Sequence, residues 1–80
     1  MDRVTIFGKE GCGFCKRAKQ ICEQKNLNFT YLDIHKENIS QADLEKTIGK
    51  PVHTVPQIFI GQEYVGGYTE FSNKVADMGL

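Results

Sequence analysis

Two cysteines three positions apart, Cys12 and Cys15, lie between a short apolar run and a segment with helical spacing. The apolar run covers residues 4–7 and ends at Gly8, and apolar residues then recur every three to four positions. The pair is therefore expected where a strand turns into a helix. Two thiols at this spacing can close a disulfide, so the pattern predicts redox chemistry.

The position of Cys12 also predicts its reactivity. At a helix N-terminus, unpaired N–H groups and the positive end of the helix dipole favour a thiolate. A free cysteine has a pKa of about 8.5, and such a position lowers it to roughly 3.5–7.5. We therefore expect Cys12 to be ionised at neutral pH.

The competing interpretation of the cysteine pair is half of a zinc site. Zinc needs four ligands, and the remaining candidates, Cys22, His35 and His53, are scattered along the chain. We expect Cys22 to be a buried structural residue, because it lies on the apolar face of the same helix. Both histidines are expected in surface loops. The spacing thus favours redox chemistry, and no metal is expected.

Size, charge and cysteine count bound the function further. Eighty residues predict one domain, residues 1–80. Ten basic and ten acidic residues cancel, which argues against a nucleic-acid partner, although residues 1–27 are basic. The three cysteines, an odd number, do not suit a secreted disulfide scaffold, and neither a signal peptide nor a membrane span is visible. We expect a cytoplasmic protein with no membrane partner.

Strand and helix signals alternate along the chain. Strands are expected over residues 3–7, 29–34, 57–60 and 63–65, the last two as a hairpin about Gly61 and Gln62. With three helices the order is β-α-β-α-β-β-α. The first βαβ unit implies parallel strands, and the hairpin adds antiparallel ones. We therefore expect an α/β, thioredoxin-like fold, a small mixed four-stranded sheet with helices on both faces.

The three helices have separate signals. The first covers residues 12–25, with an apolar stripe of Phe14, Cys15, Ala18, Ile21 and Cys22. The second has Ser40 as N-cap, Asp43 at the capping-box position and Gly49 at its end. Thr69 is expected to cap the third, which would bury Phe71, Val75 and Met78.

Two further segments carry chemistry. In Thr54-Val55-Pro56, a proline before a central strand belongs in a turn or at the strand's first residue. In a thioredoxin-like chain we expect it to be a cis-proline facing the cysteines, with Val55 backbone groups free to pair with an extended peptide. The glycine pair before Tyr68-Thr69-Glu70 either leaves N–H groups free for a carboxylate or simply precedes a capped helix.

These three segments together resemble the glutaredoxins, at spacings that match throughout. The similarity covers nearly the whole chain and is closest to the short dithiol glutaredoxins of bacteria and their phages. It includes the lead-in to the Thr54-Val55-Pro56 turn, Gly49-Lys50-Pro51-Val52.

The resemblance implies a glutathione-dependent thiol-disulfide oxidoreductase with glutathione as co-substrate. Cys12 would be the nucleophile and Cys15 the resolving thiol. Lys9 would bind the glycine carboxylate of glutathione, and Phe14 would flank the sulfur. The glutathione backbone would be held by Thr54, Val55 and Pro56, and its γ-glutamyl end by Gly67, Tyr68, Thr69 and Glu70. The implied partners are ribonucleotide reductase and other disulfide-bonded or glutathionylated proteins. The protein itself is expected to be a monomer.

Two positions depart from the commonest glutaredoxin pattern, which has proline and tyrosine between the cysteines. Gly13 makes the turn more flexible, and Phe14 lacks a phenol. Gly-Phe also occurs in single-thiol glutaredoxins that carry iron–sulfur clusters, but those have serine in place of Cys15. The alternatives are a glutaredoxin-like redoxin reduced by thioredoxin reductase and a glutathione-ligated cluster carrier.

Overall fold

The computed structural model describes residues 2–79. It contains the seven predicted elements in the predicted order. No helix in the described range is long and apolar enough to cross a membrane. The elements are β1 (Val4–Gly8), α1 (Gly13–Gln24), β2 (Phe29–Asp33), α2 (Gln41–Ile48), β3 (Gln57–Ile60), β4 (Glu63–Gly66) and α3 (Tyr68–Asp77).

The four strands form one mixed sheet in the order β2-β1-β3-β4. β1 runs parallel to β2 and antiparallel to β3, and β3 pairs antiparallel with β4. The turn between β3 and β4 has Gly61 at φ +58°, the conformation expected at the first position of that turn. The arrangement confirms the predicted thioredoxin-like fold class.

The core lies between one face of the sheet and the helices α1 and α3. β1 alternates strictly, so that Val4 and Ile6 are fully buried while Thr5 and Phe7 are half-buried on the other face. The helices cover the buried face with Ala18 and Cys22 from α1 and with Phe71 and Val75 from α3.

Two predicted core residues lie at the surface instead. The Phe14 side chain is 56% exposed, because its ring lies at the surface against Tyr68 while the neighbouring Cys15 takes the buried position of the first turn of α1. Met78 is 38% exposed, since it follows the last helical residue, Asp77. Helical spacing predicts which face of a helix a residue lies on, but it does not predict how far along the helix the core extends.

The helix ends confirm one cap and correct another. Ser40 and Asp43 form the predicted capping box of α2, which ends at Gly49 with φ +91°. Helix α3, however, is not capped by Thr69. It begins two residues earlier, with Gly67 as N-cap, and the Glu70 carboxylate accepts a hydrogen bond from the Gly67 N–H at 2.7 Å. Glycine adopts the cap conformation without a side chain, which is why a search for capping side chains misses it.

The end of β1 fixes the position of the cysteines. A Cβ atom at Gly8 would collide with the Tyr31 hydroxyl and lie 3.1 Å from the Cβ of Cys15. The buried backbone at Gly8 therefore lets the first turn of α1 approach the sheet closely. Gly13, by contrast, has no atom within 4 Å of the corresponding Cβ position.

We predict that Gly8→Ala lowers the free energy of unfolding by about 1–3 kcal/mol, because the added methyl group has no space. Gly13→Ala is the matched control and changes it by less than about 1 kcal/mol. Urea unfolding of the oxidised proteins measures both. Equal urea midpoints for the two variants would contradict this prediction, because they would show that the chain accommodates a methyl group at Gly8 without loss of stability.

Candidate active site

The two cysteines of the pair form a disulfide across the first turn of α1. Cys12 is the N-cap residue, with extended backbone angles, and its Cα lies 5.3 Å from the Cα of Cys15. The Cys15 N–H donates to Cys12 Sγ at 3.1 Å. Cys15 is fully buried, whereas Cys12 is partly exposed. Of the two sulfurs, that of Cys12 is thus the one that an external disulfide can reach.

The Thr54-Val55-Pro56 turn faces Cys12, as predicted. The Val55–Pro56 peptide bond is cis, and the carbonyl oxygen of Val55 lies 3.6 Å from Cys12 Sγ. A backbone edge at this distance from the sulfur can pair with the chain that carries the other half of a mixed disulfide.

A groove of about 270 Å³ opens beside this turn. Eight of the nine residues predicted to hold glutathione line it: Phe14, Thr54, Val55, Pro56, Gly67, Tyr68, Thr69 and Glu70. They come from the starts of α1 and α3 and from the loop before β3, which the sheet topology brings to one edge.

One wall of the groove is aromatic. The rings of Phe14 and Tyr68 lie 5.5 Å apart at 33°, and the Arg17 guanidinium lies 5.5 Å from the centre of the Phe14 ring. The exposed position of Phe14 is therefore stabilised by contacts across the groove mouth. An apolar surface beside Cys12 shields a bound disulfide from water.

The α3 end of the groove bears on the two alternatives left open for the glycine pair. The Gly67 N–H is not free for a ligand, because Glu70 accepts its hydrogen bond. Gly66 has φ +124°, and a Cβ atom there would lie 2.8 Å from the Glu70 carboxylate. The two glycines thus make room for Glu70, and the N–H groups without an intrahelical partner that remain for an anion are those of the first turn, which begins at Tyr68.

Lys9 does not line this groove. Lys9 lines two neighbouring cavities. One, of about 490 Å³, is also lined by Cys12, and the other, of about 350 Å³, is also lined by Thr54 and Val55. The larger cavity also contains Lys16 and Lys19, with Glu10 as its one acidic residue. The cavity that includes Cys12 is therefore basic.

The sequence analysis missed one polar residue in this region. Gln57, at the start of β3, is 5% exposed and donates from Nε2 to the Thr54 carbonyl oxygen at 2.7 Å. Its Oε1 accepts a hydrogen bond from the Tyr64 hydroxyl. A polar side chain in the otherwise apolar strand Gln57–Ile60 was the available signal.

The remaining candidates lie away from the disulfide chemistry. Cys22 is fully buried, as predicted, and burial raises the pKa of its thiol to about 11. His35 and His53 are both exposed, and His53 Nδ1 lies 3.3 Å from Gln41 Nε2. Among residues 2–79, no group of three histidine, cysteine or acidic residues lies close enough to hold a metal ion.

Comparison with known proteins gives the family. A glutaredoxin family model matches residues 4–65. Glutaredoxin 1 of Salmonella typhimurium is 54% identical over 73 residues, which cover 85% of this chain and 84% of the relative. The solution structure of reduced Escherichia coli glutaredoxin superposes with a TM-score of 0.84 at 42% identity, covering 94% of each chain. The buckwheat glutaredoxin–glutathione complex superposes at 0.77 and 29% identity, over 94% of this chain and 69% of that one.

The chain belongs to the glutaredoxin family. Glutaredoxins are thiol-disulfide oxidoreductases that use glutathione as reductant, and the Cys12–Cys15 disulfide of this chain is consistent with that activity. The protein is therefore a glutathione-dependent thiol-disulfide oxidoreductase. Neither alternative, a redoxin served by thioredoxin reductase or a cluster carrier, is favoured by the family match.

We predict that Cys22 resists alkylation in the folded, reduced protein at pH 8, while Cys12 is labelled. The pKa of Cys22 is raised from 9.0 to about 11, so the unfolded chain loses its proton first as pH rises. The free energy of unfolding of the wild-type protein should therefore fall between pH 9 and 11. In Cys22→Ala this fall should be smaller, by up to about 2–3 kcal/mol. Peptide mapping and unfolding at several pH values test this. Parallel pH curves for the two proteins would contradict it.

Proposed function

We propose that Cys12 is the nucleophile and Cys15 the resolving thiol. The Cys12 thiolate attacks one sulfur of a substrate disulfide, forming a mixed disulfide and releasing the other sulfur as a thiolate. On a protein disulfide, Cys15 then attacks the Cys12 sulfur, which frees the reduced substrate and leaves the Cys12–Cys15 disulfide. Two glutathione molecules reduce that disulfide and leave as glutathione disulfide.

Removal of glutathione from a substrate needs only the first cysteine. Cys12 attacks the glutathione sulfur, the substrate leaves as a thiol, and Cys12 carries the glutathione. A second glutathione thiolate attacks that sulfur, releases glutathione disulfide and restores the Cys12 thiolate. The exposure of Cys12 and the burial of Cys15 support this division.

We propose that the groove beside the Thr54-Val55-Pro56 turn holds glutathione. The observation that carries this proposal is that eight predicted contact residues share one groove whose Val55 carbonyl lies 3.6 Å from Cys12 Sγ. The glutathione backbone would pair with Val55, and its γ-glutamyl carboxylate would accept from the free N–H groups at the start of α3. Glu70 keeps one oxygen for the γ-glutamyl ammonium group.

The glycine carboxylate of glutathione would meet Lys9 on the other side of Cys12. An extended tripeptide that is bound through its central cysteine has ends that diverge from the sulfur. A cation outside the γ-glutamyl groove, in a cavity shared with Cys12, therefore suits the second carboxylate.

We further propose ribonucleotide reductase and other disulfide-bonded or glutathionylated proteins as substrates, acted on by a monomer of one domain, residues 1–80. Delivery of electrons to a protein disulfide uses both cysteines, which this chain retains. We propose the cytoplasm as its compartment, because the reaction needs a pool of reduced glutathione.

We predict that Cys15→Ser retains removal of glutathione from small mixed disulfides and loses reduction of ribonucleotide reductase. The test follows both activities with glutathione and its reductase, and with thioredoxin reductase as the alternative electron source. Cys22→Ser is the matched control, because that thiol is buried away from the pair, and it should keep both activities. Equal loss of both activities in Cys15→Ser would contradict the assigned roles.

We predict that Lys9→Glu raises the KM for glutathione about three- to fivefold at low salt, the size of an exposed ion pair. The effect should shrink at physiological ionic strength, where charges are screened beyond about 8 Å. Lys36→Glu is the control, since this exposed lysine lines neither cavity beside Cys12. An unchanged KM at low salt in Lys9→Glu would remove Lys9 from the site.

A further inference from the structure

The Thr54-Val55-Pro56 turn lies before β3 and belongs to no helix or strand. In the described chain, no hydrogen bond joins the backbone groups of Thr54 or Val55 to other backbone groups. Side chains hold the segment instead. At its start, the backbone of Val52 bonds with Gln41 and Glu45 of α2. At its end, the Thr54 carbonyl bonds with Gln57, and this attachment is the one next to the edge that faces the disulfide.

Both polar atoms of the Gln57 side chain have a partner. Its Nε2 donates to the Thr54 carbonyl oxygen at 2.7 Å, and its Oε1 accepts from the Tyr64 hydroxyl. A carbonyl oxygen can only accept, so it fixes which end of the amide faces Thr54 and makes the Tyr64 hydroxyl the donor at the other end. Tyr64, Gln57 and Thr54 thus form a chain of two hydrogen bonds that polarise each other.

The Tyr64 ring is itself held in place. Gln57 lies opposite Phe7 in the strand register, and Tyr64 lies opposite Phe59, so all four side chains share the face of the sheet that turns away from the core. The Tyr64 ring centre lies 5.3 Å from that of Phe59 and 5.1 Å from Lys50 Nζ. These contacts fix the ring, and with it the hydroxyl that orients Gln57.

The bond from Gln57 also fixes a donor on the other side of the same peptide unit. The Thr54–Val55 unit is trans, and a trans peptide unit is planar, with its carbonyl and N–H groups pointing in opposite directions. Because Gln57 binds the Thr54 carbonyl, it sets the direction in which the Val55 N–H points. The Val55 carbonyl that follows lies 3.6 Å from Cys12 Sγ.

Gln57 has no direct route to a ligand in the site. It is 5% exposed, so water cannot readily replace a partner that its amide loses. It lines neither the groove assigned to glutathione nor either cavity that Lys9 lines. Tyr64 lines none of these three either, but it shares a separate cavity of about 440 Å³ with Glu70. An effect of Gln57 on glutathione binding therefore passes through its hydrogen-bond partners.

We propose that Gln57, oriented by Tyr64, is a positioning residue that aims the Val55 N–H at bound glutathione and so sets KM for glutathione-bearing substrates. This inference rests on the proposed role of the turn in glutathione binding. Without the Gln57 amide the Thr54–Val55 peptide unit is free to rotate, which weakens binding in the ground state and the transition state alike. KM should therefore rise with little change in kcat. Cys12 keeps its own contact with the Cys15 N–H.

The first test is Gln57→Met, which keeps the length of the side chain but removes its amide. We expect KM for a small glutathione mixed disulfide to rise about two- to tenfold, the factor that one net hydrogen bond corresponds to. The kcat value and the alkylation rate of reduced Cys12 should stay at their wild-type values. An unchanged KM, or a fall in kcat at constant KM, overturns the proposal.

Tyr64→Phe tests the second link of the chain. It removes only the hydroxyl, so Gln57 keeps its amide but loses the partner that orients it, and KM should rise by a smaller factor. In the Gln57→Met background the same change should add nothing, because the two residues act as a unit. An equal rise in both backgrounds overturns the role of Tyr64 and assigns its effect to Glu70. If Gln57→Met does not fold, an unchanged KM in Tyr64→Phe overturns the proposal.

A control and a spectroscopic measurement separate positioning from general damage. Val4→Ala removes buried core volume at the far end of β1 and should leave KM unchanged. The Thr54 carbonyl carbon resonance should move upfield in Gln57→Met, where the oxygen loses its donor, and stay in place in Val4→Ala. An equal rise in KM in Val4→Ala overturns the proposal.

Failure of the proposed function gives a different result, since the wild-type protein itself then does not turn over the glutathione mixed disulfide. The Thr54 resonance in that case decides the positioning alone. A shift confined to Gln57→Met supports it, and an unshifted resonance overturns it.

Discussion

The site depends on one contact, the hydrogen bond from the Cys15 N–H to Cys12 Sγ. It makes the reactive sulfur the N-cap of α1, in the position that a serine or aspartate oxygen occupies in other helices. The same N–H at the start of the helix would stabilise negative charge on this sulfur in the reduced protein. Because the cap is also the proposed nucleophile, the helix cannot be shifted along the sheet without moving that sulfur.

The sheet provides the rest of the alignment. β1 leads directly to Cys12, and its antiparallel partner β3 begins just after the turn that faces the sulfur. The register pairs Phe7 with Gln57, so the end of one strand and the start of the other lie side by side. Strand pairing therefore brings the segment that carries Cys12 and the Thr54-Val55-Pro56 turn to the same edge of the sheet, where Cys12 Sγ and the Val55 carbonyl meet.

Local patterns predicted the fold almost completely. Strands and helices were found within one or two residues, because each is bounded by a turn or cap that its own neighbours define, as at Ser40 and Gly49. The errors at Phe14, Met78 and Thr69 share a cause. Exposure at a helix end and the use of a glycine cap depend on what the rest of the chain places nearby, and no short window contains that information.

The candidate site was predictable where short motifs carry it. The motifs marked Cys12, Val55 and Pro56, and Gln57 could have been found as a polar residue in an apolar strand, whereas Gln41 and Glu45 carry no recognisable pattern. These side chains act on backbone groups up to eleven residues away.

This division has a physical consequence for how such a site can vary. An edge made of backbone atoms is changed little by substitutions that keep its backbone conformation, since every residue except proline presents the same N–H and carbonyl groups. Its position can still be changed by the side chains that hold it. Because Gln57 lies on β3, outside the groove, its side chain can adjust the edge while the cysteines and the core between α1, α3 and the sheet stay intact.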